Sequence, residues 1–358
     1  MKKVLVAMSG GVDSSTAALL LHEQGYTCVG CTMRLFENTD AGISPERSCC
    51  SLEDALAARA AAVRLGMPYY VFNFTDDFRK TVIDKFVRCY ENGITPNPCI
   101  DCNRYMKFGK LFSRADALGC DYIATGHYAQ IERSSEGFVL KRAADSSKDQ
   151  SYVLYGMNQE QLSRTLFPLG GMQKTQTRLT AARAGLENAG KPDSQDICFV
   201  PGGDYAAVVA HYSGKTPCPG DFCDINGKVL GTHRGIIHYT VGQRRGIGLA
   251  LGEPHYVCAV SAKENRVYLG TAKYLLCGGL FAGEFNWISG KAPESRFFCT
   301  VQTRYHQPEQ EALVEPLSDG GVKISFSKPQ RAPSPGQAAV LYSGDTVIGG
   351  GVILSSFK

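Results

Sequence analysis

Three stretches of this chain carry residues whose chemistry is readable from their types and spacing. The first is the loop Ser9, Gly10, Gly11, Val12, Asp13, Ser14, Ser15, which follows the apolar run Val4 to Met8 and opens an alanine- and leucine-rich stretch. Glycines there let the backbone turn tightly and expose its amides, and the opening helix adds unpaired N–H groups at the positive end of its dipole. Such a loop is built to hold phosphate. It lacks the Gly-Lys-Ser/Thr ending of a Walker A loop and the G-x-G-x-x-G spacing of a dinucleotide fold, so γ-phosphate transfer of that kind and dinucleotide binding are both disfavoured. The second stretch, Thr95, Pro96, Asn97, Pro98, Cys99, Ile100, Asp101, Cys102, Asn103, holds a C-x-x-C pair entered through two prolines. A pair of this kind serves as a redox couple, as half of a zinc site or as part of an iron–sulfur site, or it has no joint role. The third stretch, Asp193, Ser194, Gln195, Asp196, Ile197, Cys198, Phe199, Val200, adds another cysteine.

The elements that must position these residues follow from hydrophobic periodicity. Apolar runs at Val4 to Met8, Cys28 to Met33, Tyr69 to Phe74 and Tyr122 to Thr125 alternate with helical patterns near 14–24, 51–65, 76–91 and 103–118. Ser51 with Asp54 reads as a capping box for the second helix, and Gly66 as its stop. This alternation predicts a mostly parallel sheet covered by helices, whose ligands bind at the carboxyl ends of the strands. One crevice is therefore expected to gather the 9–15 loop, Met33 and the segment Thr125, Gly126, His127, Tyr128. Beyond it a hairpin turns through Ser134 to Gly137, with helical pieces near 158–166 and 177–189. Later runs, His255 to Val260, Asn265 to Leu269, Phe297 to Arg304, Gly321 to Ser327, Ala338 to Tyr342 and Thr346 to Ile353, read as successive strands, the last of them a small antiparallel barrel.

Composition bounds the partners. A length of 358 residues, 44% of them hydrophobic and 20% charged, suits two or three domains with proper cores. No run reaches the roughly 18 to 20 apolar residues of a membrane span, and the first apolar run meets Gly10, Gly11 and Asp13 too soon for a signal peptide, so a cytoplasmic protein is expected. In that compartment 14 cysteines do not form a disulfide framework, and most are expected to be buried as small hydrophobes. A net charge of +4 permits RNA without demanding it.

The first loop resembles the SGGxDS loop of the N-type ATP pyrophosphatases, which cleave ATP between its α and β phosphates and adenylate a substrate. With the rest of the chain the resemblance narrows. SGGVDSS at 9–15, TPNPCIDCN at 95–103, ATGHYA at 124–129, KDQSYVL at 148–154, SQDICF at 194–199 and TVGQRRGIG at 240–248 together resemble the bacterial tRNA-specific 2-thiouridylases. The resemblance implies an ATP pyrophosphatase domain over 1–202, a small central adaptor over 203–274 and a tRNA-contacting β-barrel over 275–358. It implies an enzyme that replaces O2 of uridine 34, the wobble base of tRNAs for Lys, Glu and Gln, with sulfur. ATP and Mg²⁺ are the implied cofactors, and a cysteine desulfurase or a sulfur-relay protein the implied partner.

The same resemblance implies site residues. Cys198 carries the persulfide and Cys102 is the catalytic nucleophile; because an unperturbed thiol, pKa about 8.5, is only about 3% thiolate at pH 7, a nearby helix N-terminus or cation should activate Cys102, with the helix near Asn103 as the candidate. Ala7, Met8, Ser9, Gly10, Gly11, Val12, Asp13, Ser14, Met33 and Gly126 match positions at ATP, with Asp13 a candidate metal contact. Asn97, Pro98, Cys99, His127, Lys148, Asp149, Gln150, Arg304, Tyr305 and Gln337 match positions at tRNA. Relatives carry cysteine or aspartate at the place of Cys99, and an iron–sulfur cluster on Cys99, Cys102 and Cys198 stands as the alternative to a persulfide relay. Three further readings stay open: an amide-forming synthetase with the same ATP loop, a 2-thiocytidine or 4-thiouridine thiolase, and an ATP-gated RNA-binding protein.

Overall fold

In the computed structural model, which describes residues 1–36, 52–193 and 196–358, five parallel strands form the first layer. They are β1 (Lys3–Ala7), β2 (Thr27–Arg34), β3 (Tyr69–Asn73), β4 (Tyr122–Ala124) and, after a hairpin of β5 (Gln130–Ser134) and β6 (Gly137–Lys141), β7 (Thr165–Leu166). Their order is β3-β2-β1-β4-β7. The centre of β1 explains its continuous apolar run: Val4, Leu5 and Val6 are all fully buried, because helices cover both faces of a parallel sheet. Leu5 joins one core with Val29, Phe78, Val82 and Phe86, while Val4 and Val6 join another with Ala18, Ala58, Ala61 and Ala62.

The alanines of the second core belong to α1 (Val12–Glu23) and α2 (Leu52–Arg64). Ser51, read as the cap of α2, lies outside the described residues, as do Ser194 and Gln195. The opposite face is covered by α3 (Thr75–Phe78), a π-helical stretch over Arg79–Ile83 and α4 (Asp84–Glu91), which run as one helix. A second compound helix follows: α5 (Pro98–Asp101), a π-helical stretch over Cys102–Lys110 and α6 (Leu111–Ala117). It starts at Pro98 rather than near Asn103, because Pro98 occupies the first turn behind an extended Asn97. Farther on, α7 (Gln159–Ser163) is capped reciprocally by Asn158 and Gln161 and gives way to β7, so the stretch near 158–166 is only half helix. α8 (Lys174–Arg183) begins three residues earlier than its periodicity suggests, with Gln173 and Gln176 closing its first turn.

After α9 (Tyr205–Ser213) a four-stranded sheet of β8 (Gly220–Asp224), β9 (Val229–His233), β10 (Tyr256–Ser261) and β11 (Arg266–Gly270) surrounds Phe222, Tyr239, Val257, Val267 and Leu269. Then come β12 (Leu276–Trp287), β13 (Phe297–Gln302), β14 (Gln310–Pro316), β15 (Val322–Arg331), β16 (Ala338–Ser343) and β17 (Thr346–Phe357). These pair antiparallel in the order β12-β15-β14-β13-β16-β17, and β12 also pairs with β17, which closes a six-stranded barrel. β17 continues its pairing into β6, so the hairpin of the first domain extends the barrel's sheet.

The barrel docks through one strand used on both faces. Ala339 and Leu341 of β16 point into the barrel, whereas Ala338, Val340 and Tyr342 join the core of the first domain. There the Tyr152 hydroxyl donates to the Ala338 carbonyl at 2.9 Å, and the Tyr342 hydroxyl lies 3.2 Å from Ser151 Oγ. The turn before β16 clamps the entry to α5. Thr95 N–H donates to Pro335 O at 3.0 Å, and Gln337 Nε2 donates to the carbonyls of Thr95 and Pro96 at 3.0 and 3.2 Å. Of the twelve described cysteines only Cys28, Cys31, Cys120, Cys223 and Cys277 are buried, fewer than composition suggested. Among the described residues no helix is long and apolar enough to cross a membrane.

The clamp yields a stability test. Gly336 has φ +90°, and a Cβ there would lie 2.4 Å from Ile94 Cγ2 and 2.8 Å from Thr95 O. Gly336→Ala is expected to cost about 2 kcal/mol in thermal unfolding. Gly344→Asn, at φ +59° with open space around it, is the control and should stay within about 0.5 kcal/mol, since asparagine tolerates that backbone.

Candidate active site

Strand order reverses between β1 and β4: from β1 the chain goes outward to β2 and β3, and on the other side to β4 and β7. A crevice opens at such a reversal, above the carboxyl ends of the strands. It is a cavity of about 760 Å³. Ala7, Met8, Ser9, Gly11, Val12, Asp13, Ser14, Met33 and Gly126 line it, as the sequence suggested. Gly10 serves from behind: it takes φ +75°, and a Cβ would fall 2.2 Å from the Asp54 carbonyl. Gly11 stands at the N-cap of α1 in extended conformation and supplies no capping side chain, which leaves the first-turn amides of the helix to a ligand. Ser14 Oγ donates to Gly11 O at 3.1 Å and accepts from Ser9 N–H at 3.1 Å, fixing the loop's curl.

Charge on the crevice wall is arranged as a chain. Lys174 Nζ donates to both oxygens of Asp13 at 2.7 Å and lies 2.8 Å from Asp193 Oδ1. Asp193 also accepts from Lys148 and Arg178, each at 2.8 Å. Burial opposes its charge, yet the hydrogen bonds from Lys148 and Lys174 prevail and hold its carboxyl at about 2. The Tyr128 hydroxyl donates to Asp13 Oδ1 at 2.9 Å, and Lys191 pairs with Asp54. Sequence reasoning missed Lys174, and it offered no signal: Lys174 stands 161 positions from Asp13 at the start of a polar helix.

The sulfur groups enter from two other segments. Cys99, Cys102 and Cys198 all line the same cavity, Cys99 exposed to it and the other two half-buried. A helix N-terminus at Asn103 does not activate Cys102, since the helix starts four residues before Cys102, at Pro98, and Cys99 rather than Cys102 lies in its first turn. Burial pushes the Cys102 thiol up to about 11, with Lys107 pulling the other way. Among the described residues no three His, Cys, Asp or Glu side chains form a group that could hold a metal ion, so the three cysteines do not stand as a preformed ligand set. A second C-x-x-C, Cys28 and Cys31, is easily overlooked. It lies in β2, where residues three apart face opposite sides: Cys28 joins the core under α1 and Cys31 the core with Leu5.

His127 is buried beside this sulfur group. Lys107 Nζ donates to its Nε2 at 3.2 Å, which leaves the ring proton on Nδ1 to donate to Thr125 Oγ1 at 2.6 Å. Burial first, and then Lys107, holds its pKa well below the usual histidine value, so the ring is neutral.

Of the other residues read as facing tRNA, Pro98, Lys148, Gln150 and Tyr305 line the cavity, while Asn97, Asp149, Arg304 and Gln337 do not. Asp149 is buried, and its carboxylate accepts from Arg142, the Ala143 and Ser151 amides and the Ser151 hydroxyl. Gln337 spends its amide on the clamp at Thr95 and Pro96. Arg304 is exposed on the barrel side, 3.5 Å from Ser334 Oγ. Tyr305 packs on His306, ring centres 3.9 Å apart, at the rim of the crevice.

Comparison with known proteins gives the family. Residues 2–202 match the model of a "tRNA methyl transferase HUP domain", residues 206–271 a "tRNA methyl transferase PRC-barrel domain", and residues 278–353 an "Aminomethyltransferase beta-barrel domain". The chain is 48% identical over 355 residues to the tRNA-specific 2-thiouridylase MnmA of Acetivibrio thermocellus, spanning 98% of this chain and 99% of the relative. It is 46% identical over 356 residues to that of Lachnoclostridium phytofermentans, spanning 99% of this chain and all of the relative, and 47% identical over 354 residues to that of Magnetococcus marinus, spanning 99% of each.

The charge chain gives a pH signature. Asp193 is held at about 2, against about 4 in an unfolded chain, so its stabilisation is complete above about pH 4 and is lost as pH falls towards 2. Asp193→Asn is expected to cost on the order of 2 kcal/mol in denaturant melts at neutral pH, a difference that closes by about pH 2.

Proposed function

The chain belongs to the tRNA-specific 2-thiouridylase family, and from that premise we propose how its crevice divides the work. The protein is a sulfurtransferase that makes 2-thiouridine in tRNA. The observation that carries the detailed reading is that a phosphate loop, Cys102 and Cys198 open on one cavity.

Oxygen at C2 of a pyrimidine is a poor leaving group. The uridine oxygen therefore attacks the α-phosphorus of ATP, forming an O–P bond while the bond to the β-phosphate breaks, and pyrophosphate leaves. The amides of the 9–14 loop and the first turn of α1 hold the departing pyrophosphate. Asp13, which shares Lys174 with Asp193, is the carboxylate that would hold Mg²⁺ beside the bound phosphates, where the ion would offset their charge.

Sulfur arrives on Cys198 as a persulfide, Cys198–S–SH. In one route the Cys102 thiolate attacks Cys198 Sγ, forming a Cys102–Cys198 disulfide and expelling hydrosulfide, which adds to C2 and displaces AMP. In the other the terminal sulfur adds to C2 first, AMP leaves, and Cys102 then attacks Cys198 Sγ, leaving sulfur on the base and the same disulfide. An external thiol reduces that disulfide before the next cycle. The iron–sulfur alternative would need Cys99, Cys102 and Cys198 to gather around iron, and methyl transfer, the activity in the matched models' descriptions, would leave Cys102 and Cys198 without work.

Lys148, Gln150, His127, Pro98, Cys99 and Tyr305 are the residues proposed to meet the target nucleotide, and Arg304 to meet phosphate outside the crevice. Asn97, Asp149 and Gln337 support those residues from behind. The target is the wobble uridine of tRNAs for Lys, Glu and Gln, the donor a cysteine desulfurase or a relay protein, and the setting the cytoplasm.

Purified protein with ATP, Mg²⁺, a persulfide donor and unmodified tRNA for Glu should yield 2-thiouridine at the wobble position, with AMP and pyrophosphate, by nucleoside mass spectrometry; no thiolated base would overturn the reading. Cys198→Ser should adenylate tRNA yet accept no sulfur, and Cys102→Ser should load Cys198 with sulfur and fail to deliver it, both read by alkylation and peptide mass spectrometry. Arg304→Ala should weaken tRNA binding and flatten the log K against log salt slope by about one unit or less. An unchanged slope removes Arg304 from the tRNA surface.

A further inference from the structure

Cys102 is the group that sulfur transfer needs as a thiolate, and the fold has half-buried it. Its helix supplies no free amides at that position, because Cys102 lies a full turn inside the compound helix that starts at Pro98. Some other group must offset its charge. We propose that Lys107 is the cation that makes Cys102 a nucleophile, and that neutral His127 is the seat that holds Lys107 towards the sulfur. The proposal rests on the reading of Cys102 as the attacking thiol.

Helix geometry carries the first part. Cys102 begins the π-helical stretch that ends at Lys110, and Lys107 is the fifth residue after it. In an α-helix of 3.6 residues per turn, a residue five positions on is rotated about 140° from the first and faces another way. Widening the turn to i→i+5 hydrogen bonds brings that residue back to nearly the same face. Both side chains accordingly line the one cavity.

The second part is the seat. A lysine ammonium has donors and no acceptor, so the 3.2 Å contact between Lys107 Nζ and His127 Nε2 requires an unprotonated Nε2. Thr125 Oγ1, 2.6 Å from Nδ1, takes the remaining ring proton. The rings of Phe108 and Phe167, with centres 6.0 and 5.8 Å away, fix the imidazole plane. A protonated His127 would repel the lysine, and its burial keeps it neutral.

Other titratable groups surround Cys102 on its helix and across the cavity. On its own helix, Cys99 and Asp101 disfavour a thiolate, although Asp101 is tied to Lys85 at 2.8 Å. Across the cavity stand Asp196, Cys198, Lys148 and Tyr305, and Lys148 is held by Asp193. Lys107 is the cation whose field lowers the Cys102 thiol. When the proton of Cys102 passes to solvent, the thiolate left behind has Lys107 as its counter-charge.

The test reads the thiol itself and needs no thiolation activity, so its failure and the failure of the sulfurtransferase reading are separate results. Full-length free protein is treated with iodoacetamide between about pH 7 and about pH 11, and alkylation of Cys102 is followed by peptide mass spectrometry, with exposed Cys218 as the internal control. Lys107→Met is expected to slow alkylation of Cys102 about tenfold at pH 9, one unit in pKa, and to leave Cys218 unchanged. Lys107→Arg, which keeps the charge, should stay within about threefold of the parent. Equal rates for the parent and Lys107→Met overturn the proposal, and so does an equal loss in both variants, which would mark a packing role. Loss of ATP binding in Lys107→Met with an unmoved Cys102 profile overturns it as well, by assigning Lys107 to phosphate.

Discussion

The crevice depends on one close approach: the backbone of Gly126 lies against the first turn of α1 with no side chain between them. A Cβ at that position would fall 2.7 Å from Ser14 N and 2.8 Å from the Asp13 carbonyl carbon, inside any tolerable contact. Because the approach is permitted, the segment after β4 crosses directly over the phosphate loop. Tyr128 then reaches Asp13, and His127 reaches Lys107 on the cysteine-bearing helix. The 9–15 loop and the cysteines at 99, 102 and 198 thereby line one space. That arrangement suits a two-step reaction whose adenylated base must meet sulfur before water reaches it.

The barrel contributes to the same end from outside. β16 gives one face to its own core and the other to the first domain, and the turn before it grips the chain at Thr95 and Pro96, just ahead of the cysteine helix. The helix that carries Cys99 and Cys102 is thus fixed at its start by a turn more than two hundred residues away. On the opposite wall, Lys174 links Asp13 of the phosphate loop to Asp193, a few residues before Cys198. An anion or cation arriving at the loop competes for groups that also tether the second cysteine segment.

What the sequence revealed follows the range of the interactions involved. The parallel sheet was legible because β1, β2 and β4 are buried on both faces and so read as unbroken apolar runs, and the phosphate loop was legible because its glycines, serines and aspartate are contiguous. β12 and β14 were not. Glycines 278, 279 and 283 dilute β12, and at Gly279 and Gly283 they are there because Phe357 and Leu354 pack where a Cβ would be. β14, Gln310 to Pro316, is rich in Glu, Ala and Leu, which favour helix, and pairing on both edges overrides that preference. In the site, the two cysteines proposed to carry sulfur were readable through motif resemblance. Lys174, Lys107 and the supporting role of Gln337 were not, because each is defined by a partner brought close only by the tertiary fold; Asp149 is turned inward by Arg142, Ala143 and Ser151 around it, a loop geometry that its residue types alone do not dictate.

The central claim is that the oxygen leaving the uridine is carried off on the α-phosphate as AMP, while the 9–14 loop holds the pyrophosphate, in the crevice where sulfur replaces it. It is tested most directly with tRNA whose target uridine carries a heavy oxygen isotope at O2. One turnover with ATP, Mg²⁺ and a persulfide donor should place that label in the phosphate of the released AMP, one atom for each 2-thiouridine formed, and none in pyrophosphate. Label appearing in water or in pyrophosphate, alongside thiolated base, would contradict it.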